Sequence, residues 1–191
     1  MISNMANTPA FLKDAKDLLT KQGFTAGDTW YHGTSSALVE SIRQQGLLRS
    51  GDKELKAAAK KTMATIGNDY EESVEPVFLT QSKELAFYWA EQTVRERLIR
   101  LEGDDQPVVL AVTLPEALNT KVKPDVGAAS ILLLKEGESF MAYLAGIYQE
   151  HNFGIPEIDL MKADRLEYLN TLGMAYFNSD IDAACVEVVA G

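Results

Sequence analysis

Apolar positions along the chain fall into blocks whose spacing switches between that of a helix and that of a strand. Phe11, Leu12, Ala15, Leu18 and Leu19 share one helical face, and Gly23 reads as the stop of that helix. Thr29–Thr34 then reads as a short strand ending in a turn. Ser35 or Ser36 can cap the next helix, whose apolar stripe is Leu38, Val39 and Ile42 and whose stop is Gly46. Residues 51–66 favour a weakly amphipathic helix, and residues 67–76 read as a loop. Val77–Thr80 is strand-like, and Ser82 is placed to cap a long helix running to Leu101. The run Val108–Leu114 has the unbroken apolar character of a buried strand. A further strand is expected around Ser130–Leu134 and a helix from Glu138 to a stop at Gly154, while residues 166–189 read as terminal strands. The mixture predicts an α+β fold.

Composition narrows the class. With 46% hydrophobic and 24% charged residues in 191, the chain can bury a core of its own as one domain. Its longest apolar runs are strand length, far short of the roughly 18 residues of a membrane span. No positively charged N-terminus leads into an apolar run, so no signal peptide is expected and the default location is the cytoplasm. The single cysteine excludes an internal disulfide, and the two histidines and one cysteine show no metal-ligand spacing. The net charge of −10 is lopsided: residues 1–101 balance 13 basic against 13 acidic side chains, whereas residues 102–191 carry 5 against 15. Such a surface repels phosphate backbones at long range and lowers the expectation of a dedicated nucleic-acid binder, although a local basic patch can suffice.

The candidate chemistry begins at His32, which stands in Tyr31-His32-Gly33-Thr34-Ser35 just before the capped helix. That motif, the helix ending in Gly46-Leu47, the strand Val77-Phe78-Leu79-Thr80 and the helix containing Ala86-Phe87-Tyr88-Trp89-Ala90 follow one another in an order that resembles the ADP-ribosyltransferase-like fold. That family includes poly(ADP-ribose) polymerases, diphtheria-type toxins, nucleic-acid-modifying toxins of toxin–antitoxin systems and RNA 2′-phosphotransferases. The likeness covers about Trp30–Trp89, with a weaker echo from Ala175 to Val189. It divides the chain into an N-terminal helical extension, residues 1–28, and an ADP-ribosyltransferase-like domain, residues 29–191. It also implies a crevice between two small sheets that grips NAD+ as co-substrate, without a metal, for mono-ADP-ribosyl transfer to a protein or nucleic-acid acceptor. For a toxin or effector it implies an antitoxin or immunity partner.

By resemblance, His32 bonds the adenosine ribose and the Gly33 backbone pairs with the nicotinamide carboxamide, with Thr34 and Ser35 on the adenosine side. A histidine suits this role because it can donate to a ribose hydroxyl while neutral near pH 7, and a glycine because it lets backbone approach a planar amide. Phe78 occupies the slot of the tyrosine in a His–Tyr–Glu triad, keeping the ring and losing the hydroxyl. Tyr88 or Trp89 is expected to stack on nicotinamide. Between the first two motifs lie Arg43, Arg49, Lys53, Lys56, Lys60 and Lys61, a third of the basic residues. They read first as a solvated helix face. Arg49 is singled out as a partner for the NAD+ phosphates.

The third motif departs from the family. A glutamate there bonds the nicotinamide ribose and favours the positive charge that develops as the glycosidic bond breaks. In this chain the slot falls on Ala175. Three explanations stand open: another acid (Glu167, Asp180, Asp182 or Glu187) supplies the carboxylate, the chain is a relative without transfer activity, or it is an inactivated form of an enzyme with glutamate at 175. Two alternative functions remain, a non-catalytic NAD+- or ADP-ribose-binding module and an RNA 2′-phosphotransferase. The latter depends on arginines around the phosphate, and no arginine precedes the His32 strand. His151 reads as structural or exposed, and Cys185 as a small buried hydrophobe in the last strand. A serine hydrolase is disfavoured because no G-x-S-x-G occurs.

Overall fold

The computed structural model describes residues 8–65, 67, 74–125, 135–154, 159, 162 and 164–189, the side chains of 135–139 excepted. The strand expected at Ser130–Leu134 and most of the expected loop at 67–76 lie outside the described residues. The fold is mixed α+β with two antiparallel sheets. In chain order the elements are α1 (Ala15–Leu18), β1 (Leu19–Thr20), β2 (Gly23–Phe24), β3 (Thr29–Ser35), α2 (Val39–Gln45), α3 (Lys53–Thr65), β4 (Val77–Thr80), α4 (Lys83–Arg100), β5 (Pro107–Thr113), α5 (Glu116–Asn119), β6 (Lys123–Pro124), α6 (Lys135–Glu150), α7 (Arg165–Leu172), β7 (Met174–Phe177) and β8 (Val186–Val188). Strands β1 and β2 form a small hairpin, and the other six form one sheet in the order β6-β7-β4-β3-β5-β8.

Most of the local signals act as the sequence suggests. Ser35 accepts from the Ala37 amide to start a 3-10 turn leading into α2. Ser82 accepts from the Glu84 and Leu85 amides to start α4. Three elements differ from expectation. The N-terminal helix is only four residues long, because Leu19 leaves the helix to pair with Phe24, and both side chains are then buried. Thr20 closes that turn by donating to the Gly23 carbonyl at 2.9 Å. Residues 165–172, expected as strand, form α7, capped by Asp164 through the Glu167 amide and ended by left-handed Gly173. Helix α6 stops earlier than expected: Asn152 adopts φ 62°, and the Phe153 amide turns back to the Tyr148 carbonyl at 2.9 Å. Cys185 ends a 3-10 turn just before β8 and is half-buried.

Helix α4 lies directly on β3. A Cβ on Gly33 would sit 2.1 Å from the Ala86 carbonyl oxygen and 2.5 Å from the Ala90 nitrogen, so the helix packs on bare backbone there. On one face of the sheet Leu85, Tyr88, Phe140, Leu144, Ile147 and Met174 form a core between α4 and α6. On the other, Trp30, Leu79, Leu110, Val112, Ala175 and Phe177 form a second core closed by α2 and Ile181.

The N-terminal segment is built into this frame. Asp14 accepts from the Ser82 hydroxyl at 2.5 Å and the Lys83 amide at 2.7 Å, so it joins Ser82 in capping α4. Beside it Glu84 is 3% exposed. Burial raises its pKa to about 7, with the charges of Asp14 and Glu150 adding to the rise and the Ala15 amide and Lys13 opposing it. A carboxyl whose pKa is higher folded than unfolded binds more protons when folded, so stability falls as pH rises from about 4.5 to above 7. Glu84→Gln is therefore expected to stabilise the protein at pH 8, by on the order of 2–3 kcal/mol, and to change little at pH 5. Urea denaturation at the two pH values measures this.

Candidate functional site

The six-stranded sheet is nearly two sheets. Strand β3 pairs with β5 along all seven of its residues, and β4 pairs with β7 along all four of its own. Between β3 and β4 there is one residue pair, Tyr31 with Thr80. Beyond it the strands diverge, and a cleft of about 620 Å³ opens at the gap. Its walls are His32, Gly33 and Thr34 of β3, Val77 and Phe78 of β4, residues of α2 and the turn after it, the start of α3, and Thr93, Glu96 and Arg100 of α4.

His32 spans the gap. Its Nδ1 lies 2.7 Å from the Phe78 carbonyl oxygen. A carbonyl only accepts, so Nδ1 carries the proton and Nε2 presents a lone pair. Burial lowers the pKa of this histidine, and the bond to Phe78 opposes that shift only in part. Neutral His32 is thus an acceptor at Nε2.

The Gly33 peptide faces the same gap. Val109, its partner on β5, turns its carbonyl the other way, to the Val189 amide of the segment after β8 at 2.9 Å. Gly33 and Val109 are therefore a non-hydrogen-bonded pair, and the amide and carbonyl of Gly33 point away from β5. On that side β4 no longer pairs with β3. The glycine is required by the approach of α4, while its donor and acceptor are presented to the cleft.

Arg49 also lines the cleft. Its backbone amide donates to Asp180 at 2.6 Å, and Leu47, two residues earlier, exchanges two backbone bonds with Ile181, each 2.9 Å. Gly46 permits this contact, since a Cβ there would lie 2.0 Å from the Ile181 carbonyl oxygen. The end of the α2 motif and the Asp180–Ile181 corner are thereby clasped together. The Arg49 Nε is buried with no hydrogen-bond partner among the described residues, an arrangement suited to an anion.

The other expected site residues are distributed differently. Thr34 is buried at the cleft wall. Ser35 is fully buried, caps the 3-10 turn and donates to Asp105 at 3.0 Å, so it is a structural residue outside the cleft lining. Phe78 is 45% exposed at the lip. Tyr88 is a core residue stacked on Tyr143 with ring centres 4.7 Å apart. Trp89 shares the α4 stripe of Thr93, Glu96 and Arg100 but stacks on Phe140 at 5.3 Å. Neither ring is among the residues lining the cleft.

Ala175 shares a sheet face with His32, because Tyr31 opposes Thr80 and Leu79 opposes Ala175. It is nevertheless 1% exposed, packed in the apolar cluster of Leu79 and Phe177, and it is not part of the cleft lining. None of the alternative acids is part of the cleft lining either. Asp180 holds the Arg49 amide, Asp182 caps a 3-10 turn, Glu167 stands in the first turn of α7, and Glu187 is on the edge strand β8. Among the described residues the carboxylates that line the cleft are Asp52, Glu54, Glu75 and Glu96.

Two of those four are held by Arg97, a residue with no mark in the sequence. Its guanidinium bonds Asp52, Glu54 (3.0 Å) and Asp105 (2.5 Å). Burial works against the charge of this 3%-exposed arginine, but its three carboxylate partners together outweigh burial and raise its pKa. Asp105 in turn is held below the usual carboxylate range by Arg97, against the cost of its burial. Asp52 also caps α3 through the Leu55 amide at 3.0 Å. Arg97 so ties the start of α3, and with it one wall of the cleft, to α4 and to the turn before β5.

Comparisons of the chain with protein-family models, curated proteins and solved structures found no match. No helix among the described residues is long and apolar enough to cross a membrane.

Two outcomes follow from this geometry. Arg97→Met leaves two partly buried carboxylates without their partner and is expected to cost about 3 kcal/mol in urea denaturation. His32 has a lower pKa folded than unfolded, so its contribution is intact above the ordinary value of 6.5 and is lost as pH falls below it. Thermal melts from pH 8 to pH 5 should therefore show a steeper acid loss in the native protein than in His32→Gln.

Proposed function

We propose that the cleft binds NAD+ and that the protein is a mono-ADP-ribosyltransferase of the ADP-ribosyltransferase-like type, acting on a macromolecule. The observation that carries the reading is the split sheet, with neutral His32 bridging the gap and the Gly33 peptide turned into it. These are the two groups that the resemblance assigns to the ribose and the carboxamide. A cleft of about 620 Å³ is in the range of small-molecule and cofactor sites. The unpaired Nε of Arg49 supports a place for the pyrophosphate.

The reaction also needs a carboxylate facing the nicotinamide ribose. Asp52 and Glu54 are occupied by Arg97, which leaves Glu75 and Glu96 among the described acids of the cleft lining. Buried Ala175 and the missing hydroxyl at Phe78 favour a second reading, an NAD+- or ADP-ribose-binding module without transfer. As a toxin or effector, the protein would have an antitoxin or immunity partner.

NAD+ at millimolar concentration is expected to raise the melting temperature, as any ligand of the folded state does. His32→Ala and Arg49→Ala should remove most of that shift. No stabilisation of the native protein by NAD+ would overturn both readings. Nicotinamide release then separates them. Glu75→Gln or Glu96→Gln is expected to lower it on the order of 100-fold if that side chain is the acid. Folded Ala175→Glu is expected to raise it by a similar factor if this chain is a transferase lacking its acid. A chain that binds NAD+ and releases nothing in any of these forms is a binding module.

A further inference from the structure

The cleft absorbs His32, Gly33 and Arg49, but it leaves one face of the β6-β7-β4 half-sheet unexplained. On these strands Phe78 stands opposite Tyr176, and Tyr176 stands opposite Lys123. Directly opposed residues point to the same face of a sheet, so the three side chains form one row across three strands. The other face of the same strands is core, with Leu79, Ala175 and Phe177 all buried. The row is open to solvent: Phe78 is 45% exposed, Tyr176 is half-buried and Lys123 is exposed. Lys121, two residues before Lys123, is exposed as well. Residues 102–191 hold only five basic side chains against fifteen acidic, and two of the five are this pair. The row starts at the cleft, because Phe78 is part of its lining.

We infer that this row is the platform on which the acceptor lies, and that the acceptor is single-stranded nucleic acid. Unpaired bases stack on the adjacent rings of Phe78 and Tyr176, and Lys123, with Lys121, meets the flanking phosphates. The row is narrow, about 10 Å across at the usual spacing of neighbouring strands, which suits one strand rather than a duplex. Within residues 102–191, where acidic side chains outnumber basic ones threefold, Lys123 on this face and Lys121 two residues before it are the closest pair of positive charges in sequence, which favours a polyanion here over the rest of that half. That the bound strand is the acceptor rests on the transferase reading. Binding itself does not, since neither Tyr176 nor Lys123 lines the cleft.

Fluorescence anisotropy with labelled oligothymidylate and oligouridylate, at low salt and without NAD+, tests this. Binding of at least one oligonucleotide is expected, weaker for a duplex of equal length. Tyr176→Ala should weaken it by about tenfold or more, and Tyr176→Phe should restore it. Lys123→Gln should reduce the slope of log K against log salt by about 0.7. The inference is overturned if neither oligonucleotide binds at about 100 µM, as a protein acceptor would require. It is also overturned if binding favours the duplex, or if it survives Tyr176→Ala in a variant whose near-ultraviolet circular dichroism is native. Failure of the NAD+ reading would show instead as an absent thermal shift with NAD+, with the oligonucleotide titration unaffected.

Discussion

The site depends on how little holds β3 to β4. A sheet of six strands is a continuous hydrogen-bonded layer when every neighbour is fully paired. Here the central seam has one residue pair, Tyr31 with Thr80, and two side-chain bonds, from His32 Nδ1 to the Phe78 carbonyl and from the Thr80 hydroxyl to the Tyr31 carbonyl. A backbone edge left unpaired in a sheet is a set of donors and acceptors seeking partners. At this seam the fold keeps such an edge inside a cleft, where a flat polar ligand can pair with it.

Keeping that seam open requires rigid walls on both sides. On the β3 side the wall is the full β3–β5 ladder backed by α4 on the bare face of Gly33. On the β4 side it is the β4–β7 ladder backed by the Leu79, Ala175 and Phe177 cluster. The rim is fixed by two clasps between distant parts of the chain, Arg97 with its three carboxylates and Leu47 with Ile181. Buried ion clusters contribute little net stability compared with apolar packing, so the role of Arg97 is better understood as positional: it sets where α3 begins relative to α4.

Much of this was legible in residue order, and the rest was not for definable reasons. The strand at His32, the Ser82 cap and the helix stop at Gly46 have local signatures, whereas the close approaches of Ala86 to Gly33 and of Ile181 to Gly46 join distant parts of the chain. Helix α7 was misread although Asp164, Glu167 and Gly173 are ordinary start and stop signals, because the apolar residues of 166–177 also satisfy a strand pattern. The hairpin β1–β2 replaced a longer helix because pairing Leu19 with Phe24 buries both, a gain that periodicity alone does not weigh. Arg97 was invisible because its partners lie 45, 43 and 8 residues away. One of Tyr88 and Trp89 is expected at the ligand, whereas Tyr88 stacks on Tyr143 and Trp89 on Phe140, contacts supplied by α6, over a hundred positions beyond the His32 motif. The side of β3 on which the Gly33 peptide is presented follows only from the register with β5.

Strand β4 owes four of its residue pairs to β7 and one to β3, which has a bearing on biosynthesis. A chain emerging from the ribosome N-terminus first presents β3, α4 and β5 while residues 174–177 are still being made. Until those residues arrive, β4 has a single anchoring pair and no partner on its far edge, and the cleft has only one wall. Strand β4, the wall of the cleft that carries Val77 and Phe78, is therefore fixed late, once Met174–Phe177 supply its four pairs.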